Sequence, residues 1–427
     1  MGNRLQHELS ELVHEKVISS EVANDISNYY LLKKAGQPNR LFTVFGILGA
    51  LLAGLGILLI IAHNWDNFSR TVKTIWAFTP LLLGQGIAGF VLWKKKGAAW
   101  REAAATFMFF AVGACIALVS QIYNIPGELE SFLWIWIVLT APVFYILRSH
   151  AGAILHLVFS TYYACALGYF EPGAPWWYLA MLAWVVPHFV RILSDQKENV
   201  MAWIFSWLIP ASMVIVLGAF LQKDMGLAVI MYLSLFTLMY NVGRTFIASE
   251  GRMEANGFSV VGSAGIVFTL LAVSFKAMWQ EMDGDLGSGR DLWIAGVLLL
   301  AVALVLGYQA ISNKLKAFDP FQYAVLFFVP IFLLRNNGFE LPMALTNALV
   351  FVLGLYAIRL GAKRGRFGWL NFGMLIVTVL IVCRFFDVNI PFVLRGIIFL
   401  VLGAGFFVAN YLMYQRYKTE LNQKPSS

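Results

Sequence analysis

The sequence predicts an all-α protein that crosses a membrane many times. Of its 427 residues, 60% are hydrophobic and only 13% are charged, a charged share about half that of a typical soluble domain. Apolar runs long enough for a helix to cross the roughly 30 Å hydrocarbon core recur along the chain. Lys and Arg cluster in the short segments between these runs. Together these features predict a polytopic transmembrane helical bundle.

The sizeable polar segment of the chain is residues 1–40. Leu5, Leu9 and Leu12 recur at helical spacing, and two serines precede a second amphipathic run that opens at Glu21. The pattern predicts a short cytoplasmic hairpin of two helices. One interpretation is a docking element for a protein partner or for the bilayer surface. The other is a cap that packs on the membrane spans.

The first predicted span is residues 41–62, an uncharged apolar run that is followed by polar residues from His63 to Asp66. Thirteen further apolar runs have about the length of roughly 20 residues that a bilayer requires. They are residues 73–93, 103–121, 131–147, 151–169, 176–190, 200–221, 225–242, 257–277, 292–311, 321–334, 341–358, 367–383 and 390–413. The chain is therefore predicted to have about fourteen spans.

The distribution of basic residues predicts the orientation of these spans, because Lys and Arg near span ends stay on the cytoplasmic side. With the N-terminus inside, 23 of the 31 Lys and Arg residues lie in inner segments and 8 lie on the outer side or in the outer halves of spans. We therefore expect both termini in the cytoplasm. The predicted domains are the hairpin, 1–40, the helical bundle, 41–413, and a cytoplasmic tail, 414–427.

Several function classes are disfavoured by the sequence. The basic residues are scattered, so no basic face tracks a nucleic acid. The three cysteines lie in apolar runs without metal-ligand spacing, and we predict neither a metal nor a cofactor. The loops are too short to contain a soluble catalytic domain. No paired carboxylates or Ser-His constellation is evident, so we name no catalytic residue and the sequence leans against an enzyme.

Polar residues at the predicted outer ends of the spans form a candidate substrate-binding cluster. Arg395 is the most unusual of them, because it lies about one and a half turns inside the last span and near a helix N-terminus, where a cation requires a nearby anion. The cluster comprises His63, Trp65, Asp66, Gln121, Tyr123, Arg384, Asp387 and Arg395.

Two interpretations of this cluster remain open. In the functional interpretation, Arg384 and Arg395 bind an anionic group while Trp65 and Tyr123 stack on an apolar or sugar moiety. In the structural interpretation, the arginines pair with carboxylates to join helix ends, and the aromatic residues belong to the interfacial aromatic belt. Neutral polar residues inside the spans, such as His156 and Gln309, are more typical of interhelical hydrogen bonds.

Certain stretches resemble bacterial membrane proteins grouped as domain of unknown function 2157. They are AHNWD at the end of the first span, QIYNIPG, the LRSH boundary, and the closing RFFDVNIPFVLRGIIFLVLGAGFFVANYLMYQR. The N-terminal hairpin is similar as well. The resemblance implies a multi-pass protein of the bacterial inner membrane. That family has no assigned activity, so no catalytic residue follows from it.

Three function classes remain, and all have membrane lipids as partners. A transporter or flippase for an anionic or amphipathic solute bound at the outer side is favoured, and it predicts a cavity that extends toward the midplane. A non-transporting scaffold or sensor predicts a solid bundle and a protein partner at the hairpin. A membrane enzyme acting on lipid-linked substrates comes last, because Asp66 is its only attractive base.

Overall fold

The structure, a computed structural model, describes residues 9, 11–15, 17–35, 65–171, 173–194, 200–222, 224–248, 256–282, 289–312 and 318–387, and scattered positions between 393 and 415. The chain forms two compact units, Met1–Trp76 and Ala77–Ser427. The predicted first span, His63 and Arg395 lie outside the described residues, as does most of the predicted last span.

In the first unit, helix α1 spans Ser20–Ala35. The backbone N–H of Val22 donates to Oγ of Ser19 over 3.3 Å, which is an N-terminal cap. The second helix of the predicted hairpin therefore begins at the serine pair identified in the sequence. Residues 11–14 are also helical. A single 3₁₀ turn, Trp65–Asn67, follows the undescribed stretch.

Twelve apolar helices follow within the part of the chain that the structure describes. They are α2 (Arg70–Trp93), α3 (Ala98–Tyr123), α4 (Leu129–Leu147), α5 (His150–Phe170), α6 (Trp177–Ser194), α7 (Val200–Phe220), α8 (Met225–Ile247), α9 (Gly257–Val273), α10 (Arg290–Ile311), α11 (Pro320–Asn336), α12 (Glu340–Arg364) and α13 (Phe367–Asp387). A short helix, Lys276–Glu281, lies between α9 and α10.

Each of these twelve helices coincides with one predicted span, from the second to the thirteenth. Ten are long and apolar enough to cross a membrane, whereas α9 and α11 are shorter. The structure therefore confirms an all-helical protein with many membrane-spanning candidates within the described part of the chain. The count of fourteen spans and the location of the termini stay predictions.

Local sequence determines where several helices begin. Oδ1 of Asp224 accepts the N–H of Leu227 at the start of α8 over 2.9 Å, and Oδ1 of Asn256 accepts the N–H of Ser259 at the start of α9 over 2.9 Å. Such caps satisfy amide donors that have no partner within the helix. Pro142 lies in the break that divides α4 into Leu129–Thr140 and Val143–Leu147, where its missing N–H interrupts the regular hydrogen-bond ladder.

The largest apolar core of the second unit is built around α8. Of the 18-residue apolar stretch within α8, 72% is buried inside the protein. Helix α8 packs against α9 and α10. Helices α12 and α13 form a close hairpin. A Cβ at Gly361 would lie 2.3 Å from the backbone nitrogen of Leu370, so these two helices pack backbone to backbone at that position.

Aromatic contacts bring several helix ends together on one face of the second unit. The rings of Trp134 and Trp177 join the start of α4 to the start of α6, with centroids 5.8 Å apart. The rings of Trp176 and Phe220 join the start of α6 to the end of α7, with centroids 5.1 Å apart. The sequence predicts that this face is external, and we call it the predicted outer face. Two cavities open on this face.

Candidate functional site: an apolar groove with a charged end

A groove of about 220 Å³ runs between α6, α7 and α10 at the predicted outer face. Its lining is almost entirely aliphatic and aromatic. The lining residues are Trp176, Tyr178, Leu179, Leu182, Met213, Val216, Leu217, Phe220, Leu235, Trp293, Ile294, Val297 and Leu298. An apolar concavity on the surface of membrane-spanning helices is suited to an acyl chain, because the bilayer is the solvent there.

The floor of the groove is buried and apolar. Tyr178 and Val216 are 2% and 1% exposed. The hydroxyl of Tyr178 does not make the floor polar, because it hydrogen-bonds Oγ of Ser212 at 2.6 Å. Ser212 in turn contacts the hydroxyl of Thr161 at 2.7 Å. These buried hydroxyl groups satisfy one another between α5, α6 and α7, which leaves a rigid apolar floor.

The rim of the groove is exposed and carries two tryptophans. Trp176 is 51% exposed and Trp293 is 78% exposed. Both stand at helix starts on the predicted outer face, where the amphipathic indole ring matches the membrane interface. The groove therefore begins at the predicted headgroup level and continues along apolar residues such as Val297, one turn further along α10.

Beyond the outer end of the groove, a hydrogen bond joins the segment after α7 to the start of α10. The backbone N–H of Gln222, two residues beyond the end of α7, donates to Oδ2 of Asp291 over 3.0 Å. Asp291 is only 4% exposed. Its other oxygen, Oδ1, is buried and has no hydrogen-bond partner among the described residues. A buried carboxylate oxygen without a donor is energetically unfavourable, so a ligand donor there would be stabilising.

Arg290, beside Asp291, provides a positive charge at the same end. It is half-buried, and its Nε has no hydrogen-bond partner among the described residues. Helical spacing places Arg290 and Asp291 one turn before Trp293 and Ile294, which line the groove. A guanidinium is suited to a phosphate, and a carboxylate is suited to an ammonium. The site therefore combines a channel for an acyl chain with groups for a zwitterionic head.

The structure places the predicted substrate-binding residues in several locations. Trp65 and Asp66 belong to the first unit, where Nζ of Lys73 lies 5.7 Å from the Trp65 ring centroid. Gln121 and Tyr123 are exposed at the end of α3. The side chain of Asp387, at the end of α13, lies outside the described residues, as do His63 and Arg395. No contact among the described residues tests whether these eight residues form one site.

Arg384 is the predicted site residue with the best-defined surroundings. Its Nη2 donates to Oγ of Ser274 over 3.1 Å, and its guanidinium lies 5.1 Å from the ring centroid of Phe275. Ser274 is the C-terminal cap of α9, where a cation interacts favourably with the helix dipole. In this position Arg384 joins the ends of α9 and α13, and its assignment to a substrate-binding cluster stays a prediction.

Sequence reasoning did not select the groove residues as a site. Arg290 and Asp291 fall in the segment between the predicted spans 257–277 and 292–311, and the apolar lining is indistinguishable in sequence from any other span. One available signal was the basic and acidic pair immediately before an apolar run, RDLWIAG. The contact between Gln222 and Asp291 joins positions 69 residues apart, which periodicity within one helix cannot reveal.

A second polar cluster lies at the opposite end of the second unit and has a structural role. One carboxylate, that of Glu102, accepts hydrogen bonds from the hydroxyl of Ser149 and from the N–H groups of His150 and Ala151, the latter two at 2.9 Å each. Glu102 thus caps α5 from α3. His150 Nδ1 also contacts His188 Nε2 at 3.2 Å. The described residues contain no group of three side chains arranged for a metal ion.

The comparisons with known proteins concern the N-terminal part of the chain. A family model described as a predicted membrane protein, domain of unknown function 2157, matches residues 10–153. This match confirms the resemblance over α1 to α4 and includes Glu102 and Ser149 of the cap described above. The similarity of the closing spans to the 2157 family stays a prediction. No curated protein and no solved structure matches the chain.

Proposed function

We propose that this protein binds a zwitterionic phospholipid in the groove between α6, α7 and α10. The observation that carries the proposal is an apolar surface groove with Arg290 and the partnerless Oδ1 of Asp291 one helical turn beyond its lining residues Trp293 and Ile294. The acyl chain occupies the groove, the lipid phosphate pairs with Arg290, and a headgroup ammonium donates to Asp291. The ligand is thus an amphipathic solute at the predicted outer side.

The experiment compares lipids that differ only in the headgroup. We purify the protein, incubate it with phosphatidylethanolamine or phosphatidylglycerol of identical acyl chains, and count retained lipids by native mass spectrometry. Wild-type protein retains phosphatidylethanolamine roughly tenfold better, as expected from one hydrogen bond to a charged group. Asp291→Asn removes the preference, because the amide can still accept the Gln222 N–H but has lost its charge. Arg290→Gln weakens retention of both lipids.

Matched controls come from the same face of the protein. Glu281 and Lys276 are both exposed and neither lines the groove. Glu281→Gln and Lys276→Gln therefore leave the lipid preference unchanged. Equal retention of the two lipids by wild-type protein, or an equal effect of the control substitutions, would exclude the proposal.

We further propose that binding serves a transporter or flippase for such lipids. Support comes from the access that the groove gives to the bilayer at one predicted leaflet. The test uses proteoliposomes that contain a fluorescent phosphatidylethanolamine, to which dithionite is added from outside. Without transfer, dithionite quenches roughly half of the fluorescent lipid, which is the half in the outer leaflet. Lipid transfer between the leaflets raises this quenched fraction above one half. A quenched fraction that stays at one half for protein that retains the lipid would reject transport.

A second candidate function is a scaffold or sensor that holds lipid without moving it. This candidate is favoured by the close packing of α8, in which 72% of the 18-residue apolar stretch is buried. A lipid that passed through the middle of the second unit would have to separate these packed helices. A scaffold or sensor would also bind a protein partner through the N-terminal hairpin. Cross-linking from α1 in intact membranes tests that partner.

We also propose the finer topology. It has fourteen spans, both termini in the cytoplasm, and a location in the bacterial inner membrane. The support is the alternation of basic segments along the sequence and the family match at residues 10–153. The cysteine-labelling experiment in the Discussion tests the sidedness directly.

A further inference from the structure

A second cavity lies on the predicted outer face, between α4, α5 and the start of α6. Its volume is about 270 Å³, and it is lined by Glu130, Ser131, Trp134, Ile135, Tyr163 and Trp177. It shares no lining residue with the lipid groove. Three of its six lining side chains are aromatic and one is a carboxylate. Proteins use this combination to bind organic ammonium ions.

The aromatic walls of the cavity are held in place by packing. The rings of Trp134 and Trp177 meet edge to face, with an interplanar angle of 67°. Tyr163 is 4% exposed and belongs to a buried cluster with Leu133 and Ile137 of α4. Indole and phenol rings carry negative charge density on their faces, which attracts a cation. Rings fixed before a ligand arrives lose little entropy on binding.

The carboxylate of Glu130 supplies the charge. It lies in the first turn of α4, where the helix dipole favours an anion. Among the described residues, Glu130 forms no ion pair with Lys or Arg. Its neighbour in the cavity, Ser131, is an uncharged hydroxyl. The cavity thus contains a negative charge beside aromatic faces and no cation of its own.

We propose that this cavity binds a small organic cation with a methylated ammonium group, such as the choline moiety. The ammonium contacts the indole faces of Trp134 and Trp177, and Glu130 neutralises its charge. A phosphate or other anion is repelled by the carboxylate. A free cation and a lipid headgroup present the same chemistry, so the test separates these two sources.

The test uses the full-length protein in phosphatidylglycerol nanodiscs, which contain no ammonium lipid. Tetramethylammonium is titrated and binding is followed by isothermal titration calorimetry. Wild-type protein binds in a saturable manner. Glu130→Gln and Trp177→Leu each weaken binding by about tenfold or more, because each removes a principal attraction for the cation.

Two controls occupy neighbouring positions in sequence. Glu128 is an exposed carboxylate at the N-cap of α4, and Trp176 lines the other cavity. Glu128→Gln and Trp176→Leu leave tetramethylammonium binding unchanged. Thermal unfolding temperatures within a few degrees of wild type confirm that the four variants are folded.

The source of the cation is identified in a second arm with phosphatidylcholine nanodiscs. If lipid headgroups occupy the cavity, phosphatidylcholine reduces the apparent affinity for tetramethylammonium; if the ligand is a free cation, the affinity is the same in both lipids. Three results would overturn the proposal: no saturable binding to the wild type, loss of binding in Glu128→Gln equal to that in Glu130→Gln, or a neutral sugar that binds as tightly as tetramethylammonium.

Discussion

Arg244 and Asp319 form an ion pair that joins the end of α8 to the start of α11. The carboxylate of Asp319 is completely buried. It also accepts the hydroxyl of Tyr240 over 2.8 Å and the backbone N–H of Phe321 over 3.0 Å. Arg244 lies in the π-helical turn Gly243–Ile247 that ends α8. The pair therefore anchors an irregular helix end, because the guanidinium, the Tyr240 hydroxyl and the Phe321 N–H together compensate the buried carboxylate of Asp319.

Replacing this carboxylate should strongly destabilise the protein. Asp319→Ala leaves the guanidinium of Arg244 and the hydroxyl of Tyr240 without their partner, and breaking a buried pair costs about 3–5 kcal/mol. Since Arg244 is 33% exposed, water recovers part of its solvation, and we expect the lower end of that range. The free energy of unfolding, measured by denaturant titration in bicelles, checks the prediction. The control is Glu171→Ala, which removes an exposed carboxylate. Equal losses of unfolding free energy in the two variants would contradict the prediction.

The cap of α5 gives a second prediction. Glu102→Ala removes the acceptor for the hydroxyl of Ser149 and for the N–H groups of His150 and Ala151. Leaving buried donors without a partner costs about 1–3 kcal/mol, so the free energy of unfolding should fall by that amount. Glu128→Ala is the matched control, because Glu128 occupies an N-cap without a side-chain hydrogen bond. A stability loss no greater than that of the control is the result that rules out the capping role.

The helices were predictable from the sequence to a large extent. In lipid, the backbone N–H and C=O groups of each span must form hydrogen bonds within that span, so each apolar run predicts a helix by itself. The predicted run 225–242 corresponds to α8, although its π-helical end at Ile247 was missed. That end depends on Asp319, 75 positions beyond Arg244, and no local pattern contains such a contact. Span existence is a property of composition, whereas span endings depend on tertiary partners.

The candidate site was less predictable for the same reason. Arg384 is one of the predicted site residues, but its partner Ser274 is 110 residues away. The groove needs three helices to be neighbours, and the sequence does not indicate which spans are adjacent. Asp291 became informative only when its contact with Gln222 and the partnerless Oδ1 were known. Hydropathy predicts where the spans lie, and it does not predict which spans are neighbours or where a groove forms between them.

The close packing of α12 on α13 gives a third prediction. Gly361→Leu places a side chain where a Cβ would already lie 2.3 Å from the backbone nitrogen of Leu370. The helices have to separate, and overpacking of this kind costs about 1–3 kcal/mol or more. The unfolding temperature of the purified variant should therefore fall. Gly368→Leu is the control, since a Cβ there has no atom within 4 Å. Comparable unfolding temperatures for the two variants would refute close backbone packing at Gly361.

The last prediction concerns the sidedness of the membrane spans. Gly97 and Gly127 flank α3 at its two ends, both are exposed, and a Cβ at either position has open space. In a background without Cys115, Cys165 and Cys383, a membrane-impermeant maleimide should label Gly127→Cys in intact cells and Gly97→Cys only after permeabilisation. The three lysines before Gly97 predict this outcome, because a basic loop stays on the cytoplasmic side. The reverse labelling pattern inverts the topology, and it would place both cavities on the cytoplasmic side.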